Sequence, residues 1–162
     1  MITKKAWLSQ LNELSRRMTY HAERLHRMRL EADAVASRWG ESSSTRSAEA
    51  PYVRMLERIE TLQEELEREN DLYDRLRVQI EEAVERLPQE KMRLVLLYHY
   101  LEGKSFLQVG DLLYMDKGTA HRWAVRALEE LALPDDPILL FSEDCNGCLR
   151  MHTDATPVSV LQ

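Results

Sequence analysis

The chain has little of what cross-linked, β-rich or membrane-embedded proteins are made of. Its 162 residues include two cysteines, five glycines, five prolines and two phenylalanines. The cysteines, Cys145 and Cys148, sit close together near the C-terminus, so they cannot staple the fold, and their scarcity fits a reducing compartment. Few glycines and prolines leave few turns for a sandwich of short strands, while abundant Leu, Glu, Arg and Met favour helix. No stretch of about 18 apolar residues is present to span a bilayer. The opening "MITKKAWLSQL" lacks the apolar stretch of about 7 to 15 residues that a secretion signal needs. A cytoplasmic protein with no membrane partner is expected. Positive charge is also lacking: the formal net charge is -6, unlike the strongly basic character of a tight, independent nucleic-acid binder.

What is present is helical periodicity. From Trp7, apolar residues recur at alternating spacings of four and three through Leu11, Leu14, Met18, Leu25, Met28, Ala32 and Val35, with only His21 polar in the series. After the Ser-rich "GESSSTRSAEAP", the rhythm resumes through Met55, Ile59, Leu62, Leu66, Tyr73, Leu76, Ile80, Ala83 and Leu87, broken only by Glu69. Such spacing makes a narrow coiled-coil seam. Residues 3–87 therefore read as a long antiparallel helical hairpin with a loop over 40–51. Pairing Val35 with Met55 and stepping away from the loop brings His21 opposite Glu69, so the two polar interruptions coincide. Residues 3–38 carry eight Lys/Arg against four Asp/Glu, and residues 52–87 six Arg against eleven Asp/Glu. Opposite signs favour an intramolecular pair over two like helices meeting in a dimer. His21 and Glu69 are expected to be a partly buried pair that sets register, since no further ligand or catalytic partner lies on the seam.

Pro88 changes the pattern. "PQEKMRLVLLYHYLEG" reads as a helix with Met92, Val95, Leu96, Tyr98 and Leu101 facing a core and Gly103 closing it. Ser105 can cap a short second helix carrying Phe106, Val109, Leu112 and Leu113, and Asp116 a third. In the third, Ala120, Trp123, Ala127, Leu128 and Leu131 share one side, with Gly118, Arg122 and Val125 opposite. Trp123 is accordingly expected in the core rather than stacked on a base.

This stretch, "LPQEKMRLVLLYHYLEGKSFLQVGDLLYMDKGTAHRWAVRALEEL" over residues 87–131, resembles the helix-turn-helix of sigma-factor region 4. The Leu-Pro opening, "YLEG" between the first two helices and the "RALEEL" ending carry the likeness. The whole layout looks like a family of small phage and prophage proteins regarded as sigma-like transcriptional regulators. Two positions depart from the family: Tyr114 stands where it usually has a turn glycine, and Gly110 where it has a small alanine. The resemblance implies double-stranded DNA as partner. It puts Lys117, Gly118, His121 and Arg122 near base edges and Thr119 and Arg126 near phosphates. Arg122 can meet guanine with a bidentate fork, and Lys117 a phosphate or a guanine edge. Residues 89–132 hold six Lys/Arg and six Asp/Glu, so counterion release contributes little. Modules of this type compensate by acting beside RNA polymerase or a second copy, which makes a homodimer a further partner to consider. The competing reading is a protein-interaction module that does not bind DNA and uses the hairpin as its surface.

Residues 133–162 lose helical period and carry five acids against one Arg, as expected of a flexible acidic tail. Cys145, Cys148 and His152 have the spacing of half a zinc site, with Asp144 the one near addition and no second pair to close it. They read as ordinary thiols with no metal. No nucleophile beside a base, phosphate-cradling glycine loop or carboxylate pair is recognisable, so neither an enzyme nor a cofactor is expected. The fold class is all-α: a long helical hairpin, then a three-helix helix-turn-helix module at 88–132.

Overall fold

The computed structural model describes residues 2–39, 46–142 and 150–151 and is all-α apart from one two-residue strand pair. Helix α1 spans Lys4–Trp39 and α2 spans Arg46–Glu85, about 54 and 60 Å long at 1.5 Å per residue. Three short helices follow: α3 at Glu90–Leu96, α4 at Phe106–Leu113 and α5 at Lys117–Glu130. No helix among the described residues is long and apolar enough to cross a membrane. The chain forms two compact units, residues 12–78 and residues 1–11 with 79–162.

In the first unit α1 and α2 run antiparallel. Trp39 packs edge-on against Tyr52, Arg29 donates to Gln63 Oε1 at 2.7 Å, and His21 meets Glu69. The α1 position falls as the α2 position rises. Leu62, Glu69 and Leu76, seven residues apart, are buried on α2, and Leu25 and Ala32 on α1, which is the heptad repeat of a coiled-coil seam. His21 Nδ1 lies 3.0 Å from Glu69 Oε2, and Arg17 Nε lies 2.8 Å from Glu69 Oε1. Both carboxylate oxygens are thus engaged, and a carboxylate buried on an apolar seam needs such partners. Arg17 is the member that the seam pattern did not reveal, because it sits one turn before His21, off the apolar stripe. Helix α2 also begins earlier than expected. The loop read as 40–51 ends by Arg46, and Pro51 lies inside the helix. The strong helix formers Ala48, Glu49 and Ala50 extend the helix through it; Pro51 forfeits one backbone N–H bond less than two turns from the start.

The second unit shows that the base of the hairpin is not merely the end of a coiled coil. Trp7, Leu8, Gln10 and Leu11 are all buried on α1, a face wider than a seam, and they share a unit with α3 to α5. Within the expected hairpin of residues 3–87, residues up to 11 and from 79 onward group with α3 to α5. Lys4 Nζ donates to the carbonyl of Glu129 at 2.9 Å, placing a cation at the C-terminal end of α5, where the helix dipole favours it. The tail begins anchored rather than loose. Gln79 accepts from the Ile138 N–H at 2.9 Å and donates to the Asp136 carbonyl at 2.8 Å. Gln10 Oε1 accepts from the Leu140 N–H at 2.8 Å, and Leu140 is buried. Beyond it Phe141–Ser142 pairs antiparallel with Arg150–Met151. Cys145, Cys148 and the rest of the expected acidic tail lie outside the described residues.

Helix α3 continues into a π-helical turn over Leu97–Leu101, with Glu102 N–H bonded to the Leu97 carbonyl at 3.1 Å. The wider turn shifts the helical phase. Tyr100 is therefore the buried tyrosine, its hydroxyl pKa raised by desolvation, while Tyr98 and Leu101, expected in the core, are only partly covered. Gly103 ends the segment at φ 68°, a backbone conformation that costs glycine little.

Candidate nucleic-acid interface

Helix α4 begins with a capping box. The Ser105 hydroxyl accepts from Gln108 N–H at 3.3 Å, and Gln108 Oε1 accepts from Ser105 N–H at 2.9 Å. It ends at Tyr114, which adopts φ 55° and ψ 46° and is 97% exposed. The turn thus keeps the left-handed geometry that glycine serves best, although a tyrosine occupies it. Gly110 explains how the next helix can sit so close: a Cβ there would lie 2.5 Å from the Met115 carbonyl oxygen.

Helix α5 is held down by small residues. Ala120, Ala124 and Ala127 are buried, with Leu131 beyond the helix end, and α5 packs on both α3 and α4. An alanine face lets backbones approach closely and leaves no space for an indole. Trp123, expected in this core, is consequently displaced to its margin and half-buried. Lys91 Nζ stands 5.9 Å and Arg126 Cζ 5.4 Å from its ring centre, within cation–π range. Ala124 is the core residue that the sequence pattern missed. Leu112, expected inward on α4, is instead exposed, whereas Val109 and Gly110 are buried.

The residues singled out for DNA fall into three groups. Lys117, Gly118, Arg122 and Arg126 are exposed on α5. Thr119 is committed within the helix: its hydroxyl donates to Asp116 Oδ1 at 2.5 Å and accepts from Arg122 Nη2 at 3.0 Å, while its N–H donates to Asp116 Oδ2 at 2.9 Å. These bonds, the hydroxyl's first, hold the Asp116 carboxyl below its ordinary pKa, with Arg122 adding a smaller attraction. Arg122 is thereby restrained by one of its five N–H donors and keeps the others for a ligand. His121 stands apart on the α4 side, edge-on to Phe106 at 5.1 Å, and Phe106 in turn stacks on His99 at 4.0 Å. His99 Nδ1 lies 2.7 Å from the Lys104 carbonyl, to which it donates. This aromatic series ties the π-turn to α4 and α5, and its signal in the sequence is only the His99, Phe106, His121 set itself.

The hairpin unit offers a different surface, an open groove lined by Arg24, Arg54 and Arg58 around Met28 and Leu62, with Glu57 and Glu65 at its sides. No family model matches this chain, and neither a curated protein nor a solved structure does.

Proposed function

We propose that the protein is a DNA-binding transcriptional regulator of the phage or prophage type, with a sigma region 4-like helix-turn-helix that acts beside RNA polymerase in the cytoplasm. The observation that carries this reading is the solvent face of α5. Lys117, Arg122 and Arg126 lie exposed along a helix whose opposite face is three buried alanines, and Arg122 is oriented by Thr119 and Asp116. A helix fixed on one side and cationic on the other, entering from its N-terminal half, suits a major groove. His121 belongs to the rim nearest α4, and Thr119 orients Arg122 more than it grips a phosphate.

The test is a gel shift of the full chain on random and promoter fragments at low salt, followed by selection of bound sequences from a random pool. Arg122→Ala is expected to cost about 1–3 kcal/mol and relax one base position, and Arg126→Ala to weaken all sequences alike. A pool without a motif, and an Arg122→Ala variant that binds as the parent does, would remove the reading.

One observation favours a second reading, a protein-interaction module without DNA binding. The groove between α1 and α2 gathers Arg24, Arg54 and Arg58 on the hairpin, a surface suited to an acidic partner. Capture of RNA polymerase by the hairpin variant Arg24→Ala/Arg54→Ala/Arg58→Ala, compared with the parent chain, separates a role for this groove from one for α5.

A further inference from the structure

Lys91 and Arg126 approach one indole, that of Trp123, from two different helices. Lys91 belongs to the first turn of α3 and Arg126 to the third turn of α5, and both charges lie within 6 Å of the ring centre. Neither makes an ion pair among the described residues, although Glu130 stands one turn beyond Arg126, at the spacing where helical ion pairs ordinarily form. An aromatic face attracts a cation through its quadrupole but carries no net charge. It can therefore hold two positive groups in place while leaving their charge uncompensated, which a carboxylate could not do. Lys91 and Arg126 are exposed and Trp123 is half-covered, so the paired charge faces solvent. On α5, Arg126 lies one turn beyond Arg122, so the cationic surface continues past the reading face of the helix, around Trp123, to the start of α3.

We infer that Lys91, Trp123 and Arg126 form a backbone-phosphate clamp, in which Lys91 and Arg126 bind phosphodiester oxygens of double-stranded DNA and Trp123 is the residue that positions them. The inference rests on the DNA-binding reading of α5 and extends the interface to α3. The two cations would neutralise phosphates without regard to base, fixing the orientation of α5 on the duplex rather than its sequence preference.

The test is fluorescence anisotropy of the full chain on labelled duplexes of several unrelated sequences, titrated from about 50 to about 200 mM salt, with Lys91→Ala, Lys91→Arg and Arg122→Ala. One phosphate contact contributes a slope of about 0.9 in log affinity against log salt, a factor of about 3 to 4 over that range. Lys91→Ala is expected to weaken every duplex equally at low salt and to lose about one contact from the slope, so that its deficit shrinks by that factor at high salt. Lys91→Arg is expected to restore both. Circular dichroism of Lys91→Ala should match the parent, because the side chain is exposed. If the parent binds and Lys91→Ala has the same affinity and slope, the clamp is wrong and the reading of α5 stands. A deficit confined to some sequences overturns the phosphate assignment. If the parent binds no duplex at any salt, the DNA reading and the clamp fall together.

Discussion

Gly110→Ala tests the geometry of the helix-turn-helix most directly, because two opposing effects of known size meet at one atom. Alanine in place of glycine within an exposed helix gains about 1 kcal/mol in propensity. At this site, however, the new Cβ would lie 2.5 Å from the Met115 carbonyl oxygen and 3.3 Å from the Asp116 carbonyl carbon. Both are backbone atoms, so no rotamer relieves the clash. The Gly110 carbonyl also accepts the Met115 N–H at 2.9 Å, which means that moving the turn away stretches the bond that closes α4. Overpacking a tight site costs about 1–3 kcal/mol, and a clash with unyielding backbone belongs at the upper end. The expected net loss is about 1–2 kcal/mol, read as a lower urea midpoint with unchanged slope, followed by tryptophan emission. On the proposed reading DNA affinity should fall with it, since α5 starts directly beyond the displaced atoms. A variant as stable as the parent, or more so, would falsify the close approach of the two helices.

Four further outcomes follow from particular contacts. Tyr114→Gly should raise stability by about 0.5–1 kcal/mol in the same denaturation experiment: it releases a left-handed residue at 97% exposure, offset by a freer unfolded chain. Trp123→Ala should cost about 2 kcal/mol, below the roughly 3–5 typical of a fully buried aromatic, because the ring lies at the margin of the core; complete unfolding of α3 to α5 by circular dichroism would contradict this. Replacing both His21 and Glu69 by Leu should raise the thermal midpoint of the hairpin, by about 1–3 kcal/mol in stability, while paired spin labels on α1 and α2 report a broader distance distribution. For Asp116, whose carboxyl pKa is depressed from 3.8, the stabilisation is present above that value and lost as pH falls through the folded one. The stability gap between the parent and Asp116→Ala should therefore be constant above about pH 4 and narrow as the pH falls further, and a gap that does not change at acid pH would mean that the carboxylate charge is not what caps α5.

The hairpin was legible in the sequence because a heptad seam leaves little freedom: once two polar breaks had to face each other, His21 and Glu69 were bound to meet, and they lie 3.0 Å apart. The caps were legible for a similar reason, since Ser105 and Asp116 act on backbone groups three residues away. What periodicity could not supply was anything that depends on tertiary shape. The π-turn at Leu97–Leu101 changes which tyrosine is buried, and no residue type announces it. Trp123 was placed inward by phase alone, whereas the three alanines beside it bring the neighbouring helices too close for an indole to enter. Gln10 and Gln79 look like ordinary polar positions on long helices, yet their amides hold residues 136–140, a long-range pairing invisible to local pattern. At the candidate interface the cationic residues of α5 were recognisable from helical phase; Lys91 was not, because its relation to Trp123 exists only across α3 and α5.

Charge counting alone does not show how charge is arranged along α5. The six acids between 89 and 132 match the six bases in number; Glu90 adjoins Lys91, Asp111 lies on α4, and Glu129 and Glu130 follow Arg126 within one turn, while no acid lies between Lys117 and Arg126. The Asp116 carboxylate caps the start of α5 through the Thr119 N–H and hydroxyl, and Glu102 and Lys104 pair with each other at 3.4 Å. Glu129 and Glu130 stand at the C-terminal end of α5, where they would repel a phosphate. Positive charge therefore occupies the first three turns of the helix and negative charge the last. On the proposed DNA-binding reading, a duplex approaching α5 would be steered to its N-terminal part, with Lys91 and Arg126 at the edge of the contact. So few cations would release few counterions, and on that reading the DNA affinity of the module alone would be low and only mildly salt-dependent. Useful occupancy then has to come from effective concentration: a partner already held at the promoter converts weak binding into an intramolecular step and multiplies it by roughly 10²–10⁴ without a new base contact. If the proposed DNA-binding reading holds, Arg122 would set base preference while a partner supplied most of the affinity, so sequence preference and partner binding should be separable by mutation.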